Sequence, residues 1–381
     1  MSTGSLAALA CGLFVAYLNG ANDVSKGIAT LAGSGVTNYK HAILWGALWT
    51  GVGGLVSSVV SQAMLGTFGA GLLREGSKPT LDGALAALLG AAACVGIATL
   101  LGLPVSTTHA IVGSVIGVYS FSLGFGAINW GSLGGKIVLP LLASPFLALL
   151  LVVAILRAER LAKRRTGNAP ECLCIDVEPS AVPGNFIVEG RSLAITQFAT
   201  KLDVAVASED ACATNRPSAF RVTMTQLHWL TSGGTSFARG LNDTPKIVAL
   251  VLVTAALSRG TQFGAAQAFA VVALGMVAGS WMAGRKVTNV LAEKVTPMDH
   301  HEGFFANLVT AGLVGPGAAL GLPMSTTHVS SGAIIGVGVP KQANLNWKTV
   351  QSMVLAWVLT IPLAALLGVS AFIILRLVYA H

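Results

Sequence analysis

Apolar residues run in eleven segments along the chain, at about 5–19, 42–66, 81–103, 109–121, 133–156, 224–238, 246–258, 264–284, 304–322, 329–339 and 350–379. Several reach the roughly 20 residues that a helix needs to cross a bilayer. Others are shorter and are interrupted by glycine or proline. The pattern predicts an all-α polytopic membrane protein in which some helices are broken or re-entrant. It also divides the chain into a first membrane half over 1–157, an insert over 158–223 and a second membrane half over 224–381. The insert is polar, holds several prolines and shows short alternations such as "KLDVAVAS". It reads as a cytoplasmic segment with a small β element.

Composition sharpens this picture. The 381 residues are 54% hydrophobic and only 10% charged, with a mean hydropathy of +0.74; soluble chains average about 25% charged. A string of soluble domains is therefore excluded. The 45 glycines suit helices that pack closely in lipid. The net charge of +8 matters through its location. Arg157, Arg160, Lys163, Arg164 and Arg165 follow the segment that ends near 156, which places that end in the cytoplasm by the positive-inside rule and both chain termini outside. The same use of the charge argues against nucleic-acid binding. The first apolar stretch lacks a basic leader and runs straight into a charged motif, so no cleavable signal peptide is expected. Cys11 and Cys94 lie in apolar segments, and Cys172, Cys174 and Cys212 lie in the insert. They form no convincing disulfide framework, and "CLC" without a second pair is a poor metal motif.

The two membrane halves repeat each other. "GLPVSTTHAIVGSVIGV" at 102–118 matches "GLPMSTTHVSSGAIIGV" at 321–337 in eleven of seventeen positions, at an offset of 219. "YLNGANDVSKGIA" at 17–29 matches "FARGLNDTPKIVA" at 237–249, at an offset of 220. Asp82-Gly83 is echoed by Glu302-Gly303 at the same 220. Repeats around an interrupted apolar core mark secondary transporters. With an odd number of crossings in each half, the two repeats have inverted topology.

The repeated residues carry chemistry. Ionisable groups inside a membrane span cost several kcal/mol unless they are partnered. Asn22, Asp23 and Lys26 nevertheless stand at the end of the first apolar segment, and Asn242, Asp243 and Lys246 stand in the matching place. The carboxylates and amide carbonyls are hard oxygen donors suited to a cation such as Na+. Each lysine follows its aspartate by three residues, so on a helix the two share a face. The tethered ammonium groups then do part of the work of free cations in admitting an anion, which predicts weaker sodium dependence, with proton coupling as the alternative. Arg239 adds a further positive charge at the position that Asn19 holds in the first half. In "PVSTTH" and "PMSTTH", a proline that interrupts or begins a helix precedes Ser106, Thr107 and Thr108, and Ser325, Thr326 and Thr327. Hydroxyls beside unpaired helical amides make an oxyanion cradle; the plainer reading is that they cap a helix. His109 and His328 end the two motifs and are open to gating, proton transfer or simple hydrogen bonding.

The paired "GANDVSKG" and "GLNDTPKI", each followed by "STTH", resemble the inorganic phosphate transporter (PiT) family across both halves. The resemblance implies an inverted-repeat membrane fold, uptake of inorganic phosphate coupled to Na+ or H+, no other cofactor, and a homodimer in the plasma (inner) membrane. It implies that Asn22, Asp23, Asn242 and Asp243 line cation and anion sites and that the two Ser-Thr-Thr runs cradle phosphate. The usual continuation Asp-Val-Ala-Asn-Ala is replaced here by Asp-Val-Ser-Lys-Gly and Asp-Thr-Pro-Lys-Ile, so sulfate, the anion of some relatives, stands as the alternative substrate. Three other classes fit less well. A passive anion channel and a structural scaffold have no use for duplicated acids. An intramembrane enzyme built on "MDHHEG" at 298–303 lacks metal-protease spacing, and the motif reads better as a helix entry.

Overall fold

The computed structural model describes residues 2–69, 71–166, 172–188, 191–207, 214, 220–258 and 263–379. The chain separates into two compact units, one formed by 1–156 with 228–381 and the other by 157–227. The two membrane halves therefore fold together as one body.

Polar caps start the helices of that body. Ser2 opens α1 (Thr3–Asp23), which passes through a turn at Val24 into α2 (Ser25–Gly33). Asn38 opens α3 (Tyr39–Val60), followed by α4 (Gln62–Gly69), and Thr80 opens α5 (Leu81–Leu101). Ser106 opens α6 (Thr107–Leu123), and short helical turns over 125–138 lead into α7 (Leu139–Thr166). The second half repeats the order with α8 (Met224–Leu257), α9 (Ala265–Ala283), α10 (Arg285–Glu293), α11 (His300–Ala319), α12 (Thr326–Gly338) and α13 (Trp347–Tyr379). In each case an Asn, Ser, Thr or Asp side chain accepts an otherwise orphaned amide at the start of α1, α3, α5, α6, α11 and α12.

Among the described residues, seven helical stretches are long and apolar enough to cross a membrane. Their outer faces carry bare apolar side chains, such as Leu48 and Leu55 on α3, Phe146 and Leu150 on α7, and Val358 and Leu366 on α13. Apolar surface on this scale belongs against lipid.

The motif after residue 19 stands at the end of α1 as expected, but the span does not stop there: a turn at Val24 passes into α2, which continues to Gly33, so Asn22, Asp23 and Lys26 lie within the span. Likewise the segments at 224–238 and 246–258 are one continuous helix, α8, with Pro245 inside it. The polar run between them stays helical, with Asp243 paired to Lys246.

The halves clasp each other by exchanged contacts. Gly53 of α3 lies against the Phe237 carbonyl of α8, and Gly279 of α9 lies against the Tyr17 carbonyl of α1. A methyl group would sit 2.1 Å and 1.8 Å from those oxygens, so only glycine permits the approach. Matching helices run in opposite directions. Ser5 Oγ is 2.7 Å from Ser258 Oγ, joining the start of α1 to the end of α8. His228 Nε2 is 3.0 Å from Thr30 Oγ1, joining the start of α8 to the end of α2.

Helices α5 and α6 form a hairpin. It turns at Gly102 (φ 74°), and its base brings Gly83 against Tyr119. Helices α11 and α12 form a second, turning at Gly321 (φ 71°), with Gly338 against Thr296 at its base. Both turns are left-handed and favour glycine. The first hairpin's base lies where Leu81 meets Gly4, and the second's lies where Gly303 meets His228 and Thr30. The hairpins thus enter the bundle from opposite ends.

The other unit carries the β element expected of the insert. Its β1 (Cys172–Val188) pairs antiparallel with β2 (Arg191–Ala207) and with β3 (Phe220–Thr223), in the order β2-β1-β3. "KLDVAVAS" supplies the end of β2. Cys212 lies outside the described residues, as do the side chains of Lys163 and Arg165.

Candidate anion-binding site

The two hairpin tips meet in the middle of the bundle, beside the Asn-Asp-Lys motifs of α1 and α8. The His109 and His328 rings, two residues beyond the central threonines, lie 4.6 Å apart. His328 also stacks on Trp357 at 4.3 Å. Thr327 Oγ1 of the second tip donates to the Val105 carbonyl of the first at 2.7 Å.

Each asparagine ties a tip to the helix it faces. Asn22 Nδ2 donates to Thr99 Oγ1 and to the Leu103 carbonyl, both at 3.0 Å, while its Oδ1 accepts the Val105 amide at 3.2 Å. Asn242 Nδ2 donates to the Met324 carbonyl at 2.7 Å, and its Oδ1 accepts the Met324 amide at 3.3 Å. These bonds satisfy backbone groups that the helix breaks would leave bare. Asn22 Oδ1 also accepts Lys26 Nζ at 2.8 Å, which occupies both of its lone pairs. Asn22 is therefore committed as a splint across its break, while Asn242 Oδ1 accepts, among the described residues, the Met324 amide alone.

Lysine and aspartate pair as their spacing requires. Lys26 Nζ lies 2.7 Å from Asp23 Oδ1, and Lys246 Nζ lies 3.2 Å from Asp243 Oδ1. All four are buried. Lys26 Nζ bonds in addition to the Asn22 carbonyl at 2.8 Å. Lys246 Nζ bonds to Thr108 Oγ1 at 2.8 Å and to the Met324 carbonyl at 3.0 Å, so it bridges both tips. Lys246 holds the two tips together and Lys26 is bound within its own motif, so neither presents a free donor.

The remaining carboxylate oxygens converge. Asn19 Nδ2 lies 2.8 Å from Asp23 Oδ2, 3.3 Å from Asp243 Oδ2 and 3.0 Å from Thr107 Oγ1. Thr107 Oγ1 in turn donates to Asp23 Oδ2 at 3.1 Å. Three oxygens thus surround one amide nitrogen. Asn19 was not among the predicted site residues; its signal was its buried polarity four residues before Asp23, on the same helical face.

The hydroxyls divide into two classes. Ser106 Oγ and Ser325 Oγ accept the His109 and His328 amides at 3.3 and 3.2 Å, as caps do. Thr107 and Thr327 spend their protons on Asp23 and Val105. Ser106, Thr108, Ser325 and Thr326 act only as acceptors in these bonds, which leaves their O–H groups to donate. The first amides of α6 and α12 point the same way, without carbonyl partners in their own helices. Capping and anion binding are compatible, because capping uses the lone pair and an anion takes the proton.

"MDHHEG" forms a helix entry. Asp299 and Glu302 make a reciprocal capping box at the start of α11, and Glu302 pairs with Lys341 at 2.6 Å. Among the described residues there is no cluster of three metal-ligating side chains.

Comparison with known proteins shows the family and the fold. The profile of the "Phosphate transporter family" matches residues 19–368. The "Inorganic phosphate transporter 2-1, chloroplastic" of Arabidopsis thaliana is 28% identical over 96% of this chain and 71% of its own length. A Bacillus subtilis protein named "Probable low-affinity inorganic phosphate transporter" is 27% identical over 97% of this chain and 96% of its own. A solved structure named "The sodium-dependent phosphate transporter" superposes with a TM-score of 0.76 at 22% identity, covering 99% of this chain and 100% of that one, so the two share a fold. This chain belongs to the phosphate transporter family.

Proposed function

We propose that the chain is a cation-coupled secondary transporter that imports inorganic phosphate. The observation that carries this reading is the meeting of two hairpin tips, each a helix N-terminus with free hydroxyls, at one buried point. Ser106, Thr108, Ser325 and Thr326 donate to the anion, helped by the first amides of α6 and α12. Asp23 and Asp243, whose Oδ2 atoms converge with Thr107 on the Asn19 amide, take the coupling cation when that amide swings aside. The solved transporter that shares this fold is sodium-dependent, which supports sodium as that cation.

The antiparallel course of α1–α2 and α8, with hairpins entering from opposite ends, supports inverted topology in the bilayer. The end of the bundle that carries Arg285, Lys286 and Lys294 then faces the cytoplasm, and the termini lie outside. The insert is cytoplasmic in this arrangement. The homodimer implied by the family likeness belongs to the same proposal, and the mass of the detergent-solubilised particle checks it.

Uptake into proteoliposomes tests the function. Labelled phosphate should accumulate above its external concentration under an inward sodium gradient, and the accumulation should collapse when the gradient is dissipated. Accumulation of labelled sulfate in preference to phosphate would change the substrate. Equilibration without accumulation would make the protein a passive pathway.

A further inference from the structure

The site's cations are not equivalent. An ammonium has three N–H donors. Lys26 spends its three on the Asn22 carbonyl, Asn22 Oδ1 and Asp23 Oδ1. Lys246 spends its three on Thr108 Oγ1, Asp243 Oδ1 and the Met324 carbonyl. Each lysine also neutralises its own aspartate, so neither has charge or hydrogen left for a substrate.

Arg239 is the exception. It is 0% exposed and is the largest of the fully buried side chains in the described chain. Its Nη2 donates to Ser280 Oγ at 3.3 Å, while Nε and Nη1 have no partner. Native proteins leave few buried donors unpaired, and a guanidinium is the costliest kind to leave so. Arg239 lies one helical turn before Asp243, at the position that Asn19 holds in the other half. Asn19 touches both carboxylates and the first tip, and Arg239 feels the charge of the same two carboxylates. Counted together, Lys26, Lys246 and Arg239 face Asp23 and Asp243, and one positive charge is left over in a water-poor interior.

Resting on the phosphate reading above, we infer that Arg239 is the side chain that meets the transported anion's charge, and that it stands in for one coupling cation. The surplus charge is balanced by dihydrogen phosphate alone, or by hydrogen phosphate together with one monovalent cation. Without Arg239 each of these complexes needs one cation more. The tethered cation anticipated for the two lysines is thus a property of the arginine, since the lysines are consumed by their own aspartates.

The test is phosphate binding to the purified full-length protein in detergent, titrated over one series of sodium concentrations at fixed pH and one series of pH at fixed sodium. Choline maintains ionic strength. Wild type is compared with Arg239→Gln and Arg239→Lys, each shown by its elution volume and thermal transition to be folded. Arg239→Gln should weaken phosphate binding about tenfold or more at low sodium, the loss expected for a hydrogen bond to a charged group. It should also raise the number of cations taken up with each phosphate by about one, read as the slope of log affinity against log cation concentration. Arg239→Lys keeps the charge but loses the planar fork, so it should lose affinity while keeping the wild-type slopes. Unchanged affinity and slopes in Arg239→Gln would overturn the inference, as would an Arg239→Lys protein with the slopes of Arg239→Gln. A wild-type protein that binds no phosphate would instead overturn the phosphate reading itself.

Discussion

Lys26 and Asp23 lie 2.7 Å apart with almost no exposure, so each is tolerable in the interior only because of the other. Removing one partner of a buried pair strands a charge and costs about 3–5 kcal/mol, whereas replacing both can be nearly neutral. Lys26→Gln should therefore lower the thermal midpoint sharply, and the double variant Lys26→Gln with Asp23→Asn should recover most of the loss. Scanning calorimetry or fluorescence melts on the three proteins decide it; equal losses in the single and double variants would mean that the pair is not a unit. This pairing was legible in the sequence, because an i, i+3 spacing on a helix fixes it locally. The Asn22 splint was not. The carbonyl that receives Asn22 belongs to Leu103, 81 residues away, and only the tertiary fold brings the two together. The surplus of Arg239 was hidden for the same reason: its charge was visible, but the exhaustion of the two lysines was not.

Helices here approach so closely that backbone touches backbone. Gly53 and Gly279 each face a carbonyl on a helix of the opposite half, at distances where a Cβ has no room. Small residues at helix interfaces in lipid give close packing in place of a hydrophobic driving force. Gly53→Leu and Gly279→Leu should each force the clasped helices apart and reduce stability by several kcal/mol, comparable to overpacking a core at its worst. The yield of monodisperse protein and its melting temperature measure this, and a Leu variant as stable as wild type would contradict the contact. The repeats could be read from sequence because "STTH" and "ND" recur in one order. The true span boundaries could not. Asn22 to Lys26 and Arg239 to Lys246 look too polar for the middle of a helix until their partners are known.

At the scale of the molecule, residues 1–156 and 228–381 make one body and 157–227 make another. Every side chain assigned to the site belongs to the first. Replacing residues 168–216 by a flexible linker should therefore leave phosphate transport measurable, and complete loss in a folded, membrane-inserted variant would show that the insert takes part in the mechanism. Helical spans, repeats and the place of the insert could be read from hydropathy and self-similarity. The inverted topology expected of the repeats implies hairpins entering from opposite ends, but which ends of distant helices meet could not be read. That opposition makes two copies of one motif into a single site. The central claim is that two tips bind one anion between them, and isothermal titration of phosphate into the purified protein tests it most directly. The account predicts one phosphate bound per chain, with Thr108→Val on one tip and Thr326→Val on the other each weakening that same site by about tenfold. Two phosphates per chain, with each variant weakening only one of them, would contradict it.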